Sequence, residues 1–264
     1  MRSVIRFVLW VLCLSVLGYS TWQLWDIYRG YRQGEQSYDV LTQYVAFAEL
    51  EQADENIEEV MDDLAQEETV PDTSDWPQVD FEELAQINPD VVGWIFLEGT
   101  NINYPVVQGQ DNEYYLDRLF DRTRNDSGCI FMDTGCKKDF SGRNSILYGH
   151  HMKDKSMFAI LPAYKSQTFY EEHPEMLLVT PDAYYRVRFF SGYVADTFAN
   201  AWGLHFNDDS FGNWLEELRE RSCFLAKDAP GVKDRVITLS TCTYEFSSAK
   251  FVLHGYISEE IIKN

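Results

Sequence analysis

Nineteen consecutive residues, Phe7 to Trp25, carry no charge, and this run limits the fold more than any other feature of the chain. As a helix rising ~1.5 Å per residue it nearly matches the ~30 Å hydrocarbon core of a bilayer. Arg2 and Arg6 precede it, Asp26 ends it, and Trp22 and Trp25 stand where an interfacial aromatic belt belongs. The reading is a single-pass membrane anchor over residues 1–26. A cleaved signal peptide is the alternative, but no clean small-x-small cleavage site follows, since Gly18-Tyr19-Ser20 runs into Thr21-Trp22. Arg29 and Arg32 nearly balance the two leading arginines. The terminal amine tips the count toward an inside N-terminus. The expected location is therefore the cell membrane, with the folded body extracytoplasmic.

Everything after the run must fold without it. The net charge is −21, and it is unevenly spread, because no Lys or Arg occurs from Glu35 to Asp90. Phosphate binding needs clustered cations, so nucleic acid is excluded as a partner. Val40, Leu41, Tyr44, Val45, Phe47, Leu50, Ile57, Val60, Met61 and Leu64 recur at mostly three- and four-residue spacing. That spacing predicts an amphipathic helix from Tyr38 to Glu68. Val70 to Pro77 reads as a linker. Residues 27–77 are thus expected to form an acidic helical stalk and linker, and residues 78–264 the folded domain. A short helix is predicted over Asp80 to Ile87, with Asp80 as its cap and Asn88-Pro89-Asp90 as its stop.

From Val91 the period changes to short apolar runs broken by turn residues. The runs are Val91–Leu97, Ile102–Val107, Gly128–Met132, Ser145–Tyr148, Met176–Thr180, Tyr184–Ala195, Arg235–Ser240 and Phe251–Ile257. Eight such runs predict a mainly β domain, a barrel or a sandwich. Helical insertions are predicted at Met157–Tyr164 and Ser210–Cys223.

Five cysteines, Cys13, Cys129, Cys136, Cys223 and Cys242, cannot all pair within one chain. No Cys-x-x-Cys and no structural zinc spacing occurs, so neither metal nor cofactor is expected. A Cys129–Cys136 disulfide is open if the domain is exported, because geometry decides it. Two runs carry chemistry. Asn144 to Tyr148 is a strand that ends at Gly149 and delivers His150. Val236 to Thr241 is a β-branched strand that ends at Cys242. A thiolate is the reactive form of cysteine, and a nearby imidazole can activate it. Composition alone leaves both residues open to an ordinary core or surface role, and the spacing does not show that they meet.

Thr238-Leu239-Ser240-Thr241-Cys242 resembles the T-L-x-T-C signature of sortases, and Tyr148-Gly149-His150 resembles the strand-end histidine of that family. The resemblance to class B sortases runs from about Ile87 to Ile257. It includes Asp90 to Ile95, Thr100 to Gln108, Asp111 to Leu116, Gly128 to Asp133 and Gly149 to Phe158. The helix predicted before the cysteine strand is similar to the class B insertion. The resemblance implies a closed β-barrel and a membrane-anchored cysteine transpeptidase. Such an enzyme cuts a Pro-x-Thr type sorting signal near the C-terminus of secreted proteins. It holds the new carboxyl as a thioester and passes it to a cell-wall amine of peptidoglycan precursor. Carried over, Cys242 is the nucleophile and His150 the proton donor. Ser240 and Thr241 would line the groove, and the Thr243 N–H would face the oxyanion. One departure stands out: Lys250 occupies the place of the family's arginine. Lysine keeps the charge but loses the planar fork. Arg143 and Arg235 are the other arginines that could move in. Lys250 also keeps open a catalytically impaired binding module, and a further alternative is a cysteine hydrolase in which water resolves the thioester.

Overall fold

The computed structural model describes residues 2–46, 76–196 and 198–263. One helix, α1 (Arg2–Leu41), contains the whole uncharged run and is long and apolar enough to cross a membrane. It does not stop at Asp26. Its last turns pack on the folded body through Gly34, Tyr38 and Leu41, which are buried at helical spacing. Gly34 is needed there, since a Cβ would come within 2.8 Å of Ser127 Oγ. Asn125 Nδ2 donates to the Gly30 carbonyl at 2.9 Å, and Tyr38 Oη donates to the Gly128 carbonyl.

The helix predicted over Tyr38–Glu68 is not continuous where it is described. A 3-10 turn (Thr42–Tyr44) follows α1, and then β1 (Val45–Ala46) pairs antiparallel with β2 (Gln78–Val79). Val45 faces the core, so burial of one side chain in a strand pair overrides the helical spacing. The rest of that predicted helix, and the linker to Asp75, lie outside the described residues. Helix α2 (Phe81–Ile87) begins as expected, with Asp80 Oδ1 accepting from the Glu83 N–H at 3.0 Å.

Eight strands then close a barrel. They are β3 (Val91–Phe96), β4 (Asn103–Val107), β5 (Ile130–Met132), β6 (Asn144–Tyr148), β7 (Glu175–Val179), β8 (Ala183–Ala195), β9 (Val236–Cys242) and β10 (Lys250–Ile262). Their order around the barrel is β10-β8-β7-β3-β4-β5-β6-β9, and β9 pairs β10 to close it. Pairing is parallel for β4–β5 and β6–β9 and antiparallel elsewhere. Each of the eight predicted runs is one of these strands. The first helical insertion lies later than predicted, as a 3-10 turn (Leu161–Lys165) and α3 (Gln167–Glu172). Pro162 in the first turn and Ser166 as the α3 cap set those bounds.

Strand alternation divides the core. Ile237, Leu239, Phe251 and Leu253 point into the barrel. Val236 and Val252 point outward, under helix α4 (Asp208–Arg221). That helix covers them with Phe211, Trp214, Leu215 and Leu218, a stripe at positions i, i+3, i+4 and i+7. The outer face of β9 and β10 is therefore roofed along part of its length and open at the end where β9 stops.

Candidate active site

The site follows from register. Tyr148 on β6 pairs with Ser240 on β9, and the Gly149 N–H donates to the Ser240 carbonyl at 3.2 Å. Two residues further along each chain stand His150 and Cys242. In a parallel pair, steps of two keep side chains on one face. On the other side of β9, Lys250 is the direct antiparallel partner of Cys242. Cys242 and Lys250 are thus direct neighbours on β9 and β10, and His150 follows the end of β6, the strand on the other side of β9.

Lys250 Nζ donates to Cys242 Sγ at 2.9 Å. An ammonium in that position offers the thiolate a hydrogen bond and a counter-charge. His150 Nε2 lies 2.7 Å from the Leu116 carbonyl. A carbonyl only accepts, so Nε2 carries the hydrogen, and Nδ1 is the atom left to take or give a proton. Gly149 lets the strand turn out at this point. A Cβ there would come within 2.5 Å of Ile130 Cδ1 and 2.6 Å of Phe158 Cδ2.

His151 meets the same strand end in another way. Its Nδ1 lies 2.9 Å from the Cys242 carbonyl oxygen, and its ring meets Tyr244 edge-on at 5.2 Å. The loop beyond it is tight. His151 bridges to Met157, and Lys155 and Met157 both hold positive φ, +70° and +55°. Strain of this kind in side-chain-bearing residues persists only where the surroundings hold it.

Below Cys242 the outer face of β9 carries a buried polar chain. Ser240 Oγ accepts from Trp202 Nε1 at 3.1 Å. The Thr238 hydroxyl donates to Asn144 Oδ1 at 2.8 Å, and Asn144 Nδ2 donates to the Gly203 carbonyl at 2.9 Å. His254 Nδ1 lies 2.9 Å from the same hydroxyl. Because the one hydroxyl hydrogen is committed to Asn144, His254 Nδ1 must be the donor. His254 is fully buried among Phe190, Tyr193 and Trp214. Burial pushes its pKa down to about 3, so the ring is neutral.

Several sequence expectations change. Thr241 does not line a groove: alternation turns its side chain into the barrel, where it is 2 % exposed and Oγ1 has no hydrogen-bond partner among the described residues. The Thr243 N–H does not face an oxyanion, because it donates to the Ala249 carbonyl at 3.0 Å and closes the β9–β10 turn. Its hydroxyl donates to Glu245, which Lys165 also holds. Neither spare arginine moves in: Arg143 pairs with Asp208, and Arg235 pairs with Glu260 at 2.7 Å. The five cysteines are free thiols, so Cys129 and Cys136 do not bridge. Burial pushes Cys129 up to about 12 and Cys136 up to about 11, which keeps both protonated and inert. Trp202 and Tyr244 reach the site from loops and Leu116 from the end of a 3-10 turn (Tyr114–Leu116), so no strand-end motif marks them.

No protein-family model matches the chain. It is similar to Sortase B of Staphylococcus aureus, 40% identical over 168 residues, which is 63% of this chain and 69% of that protein. It is similar to Sortase B of Listeria monocytogenes, 34% identical over 176 residues, 66% of this chain and 72% of that protein. The solved Staphylococcus aureus sortase B–substrate complex superposes with a TM-score of 0.65 at 38% identity, covering 68% of this chain and 84% of the other.

Proposed function

This chain belongs to the class B sortases and is a cysteine transpeptidase, and from that premise we propose that Cys242, His150 and Lys250 carry its reaction from a membrane-anchored position. The observation that supports this assignment is the Cys242–Lys250 pair across β9 and β10, with Lys250 Nζ 2.9 Å from Cys242 Sγ, while His150 follows β6, the other neighbour of β9. The substrate is a sorting signal of the Pro-x-Thr type near the C-terminus of a secreted protein. A substrate complex of a relative supports a bound signal peptide. The acceptor is an amine of peptidoglycan precursor. Helix α1 holds the domain at the outer face of the cell membrane, a reading supported by its length and apolar run.

The steps use these three side chains. The Cys242 thiolate attacks the carbonyl carbon after the threonine. The oxyanion that forms takes a hydrogen bond from Lys250, a point donor in place of a fork. The C–N bond breaks, and His150 Nδ1–H gives its proton to the leaving amine. The acyl group stays on sulfur as a thioester. The acceptor amine then attacks the same carbon, an amide forms, the C–S bond breaks and the thiolate returns. The amine's proton passes to His150, which restores the starting state. Ser240 lies on the same outward face of β9 as Cys242 and is buried under Trp202, whose Nε1 donates to its hydroxyl.

A labelled Pro-x-Thr peptide, given with and without an amine, tests this. Amide product that depends on the amine is expected. Acid product alone would make the chain a hydrolase, and no cleavage would make it a binding module. Cys242→Ala should abolish thioester formation, read by intact mass. A surviving adduct at another residue would sink the assignment.

A further inference from the structure

Three residues of α1 at steps of four, Gly30, Gly34 and Tyr38, meet one loop of the barrel. Steps of four keep them on one helix face. The Gly30 carbonyl accepts from Asn125 Nδ2 at 2.9 Å, and Gly34 lies against Ser127. Tyr38 Oη donates to the Gly128 carbonyl, and Cys129 Sγ stands 3.3 Å from the same oxygen. The loop they hold, residues 125–129, leads into β5, and its other side reaches an imidazole. The Gly128 carbonyl and the Cys129 N–H belong to one peptide group, and that N–H donates to the Tyr115 carbonyl at 3.0 Å. The next carbonyl in the chain, that of Leu116, is the one 2.7 Å from His150 Nε2. Gly128 is seated among these groups. It holds φ +58°, and a Cβ on it would stand 2.6 Å from the Tyr115 oxygen, 2.7 Å from the Leu116 oxygen and 3.1 Å from His150 Cδ2.

We propose that the end of α1 positions His150 for its proton transfers, with Tyr38 as the positioning residue. The inference deepens the transpeptidase reading and rests on it. The link is short. The Tyr38 hydroxyl holds one side of the 128–129 peptide group, and the Tyr115 carbonyl holds the other. The adjoining Leu116 carbonyl then keeps the His150 hydrogen on Nε2 and leaves Nδ1 for the chemistry. Hydrogen bonds in such a chain polarise one another. Glycine at 128 has no side chain to resist a turn of that peptide, so the Tyr38 bond fixes its direction. Tyr38 and Gly128 are both buried, so loss of the phenol hydroxyl leaves a buried carbonyl short of its donor. The Tyr38 ring has its own support, edge-on against Tyr104 at 5.2 Å, which separates the hydroxyl's part from the ring's. Asn125 ties the loop to itself as well as to α1, since its Oδ1 accepts from the Ser127 N–H at 2.9 Å. A helix that moved off the barrel would release this loop, and His150 would lose the partner that sets its tautomer.

The test uses Tyr38→Phe in the full chain in detergent micelles, which keeps the ring and removes only the hydroxyl. With a labelled sorting peptide and an amine, kcat per folded molecule should fall about tenfold while KM stays within about twofold. A positioned acid–base group contributes ~10²–10⁴, and only its orientation is disturbed. An unaltered kcat would overturn the proposal. A second arm needs no turnover. In Cys242→Ala carrying isotope-labelled histidine, at a pH where the ring is neutral, nuclear magnetic resonance should find the His150 hydrogen on Nε2. The signals are assigned by their loss in His150→Asn. Adding Tyr38→Phe should move a share of the rings to the Nδ1–H form. A tautomer that does not respond would overturn the proposal, because a merely structural Tyr38 lowers the melting temperature without touching the ring. Failure of the wild-type chain to cleave any sorting peptide would count against the transpeptidase reading, while the ring spectrum would still decide whether α1 positions His150.

Discussion

The two faces of β9 are built from one seven-residue strand and do opposite things. Inward, Ile237, Leu239 and Thr241 meet the barrel core. Outward, Thr238, Ser240 and Cys242 form a ladder of polar groups that climbs from a fully buried hydroxyl to an exposed thiol. The inner face holds the strand still by excluding water. The outer face uses that stillness to place sulfur beside the Lys250 ammonium. The comparison teaches that Cys242 is held from behind, by packing, on a strand that a buried polar chain through Thr238, Asn144 and His254 pins below it.

The strongest way to break this comparison is to remove the base of the ladder. His254 is neutral in the folded state, with its pKa pushed down to about 3 from an ordinary value of 6.5. Between those values the unfolded chain binds a proton that the native one does not. Its contribution is therefore fully present above pH 6.5 and is lost as pH falls toward 3. The ceiling is about 5 kcal/mol, since each pH unit of that window contributes ~1.4 kcal/mol. His254→Leu should flatten that acid limb in denaturant titrations run at several pH values. An unaltered limb would mean that another group sets it.

The top of the ladder comes next. Lys250→Met should lower kcat/KM for sorting peptide by ~10²–10³, roughly 3–4 kcal/mol, while the melting temperature stays close to wild type. Lys250→Arg should keep activity or raise it. A large loss in the arginine variant would show that the compact ammonium has a role the planar fork cannot fill. The smallest effect belongs to the inner face. Thr241→Val removes a buried hydroxyl that lacks a partner and keeps the shape. It should leave activity unaltered and stabilise the fold by about 1 kcal/mol, read by denaturant midpoint. A sharp fall in activity would restore Thr241 to the substrate side and undo the division of faces.

Much of this was legible in sequence, and the failures share a cause. The eight strands showed because each is a short apolar run between turn residues, a local signal. Helices α2 and α4 showed for the same reason, through a cap at Asp80 and a stripe at Phe211, Trp214, Leu215 and Leu218. Cys242, His150 and Lys250 stand out by motif, and register pairs Cys242 with Lys250. Thr241 and Thr243 misled because a motif does not say which way a side chain turns or where an N–H is already committed. The helix expected through Tyr38–Glu68 breaks by Thr42 because a strand pair with Gln78–Val79, far along the chain, competes for the same residues.

The sequence by itself determined an apolar helix, a strand-rich domain, and a thiol and an imidazole each at a strand end. Local periodicity and short motifs suffice for these, since they depend on neighbours in the chain. Only the tertiary structure decided that Lys250 is the thiol's partner, that Thr241 faces inward, and that the end of α1 packs on the barrel. Those outcomes depend on strand register and on contacts between residues far apart in the chain. One step of register turns every side chain to the other face, and local sequence does not record which step is taken.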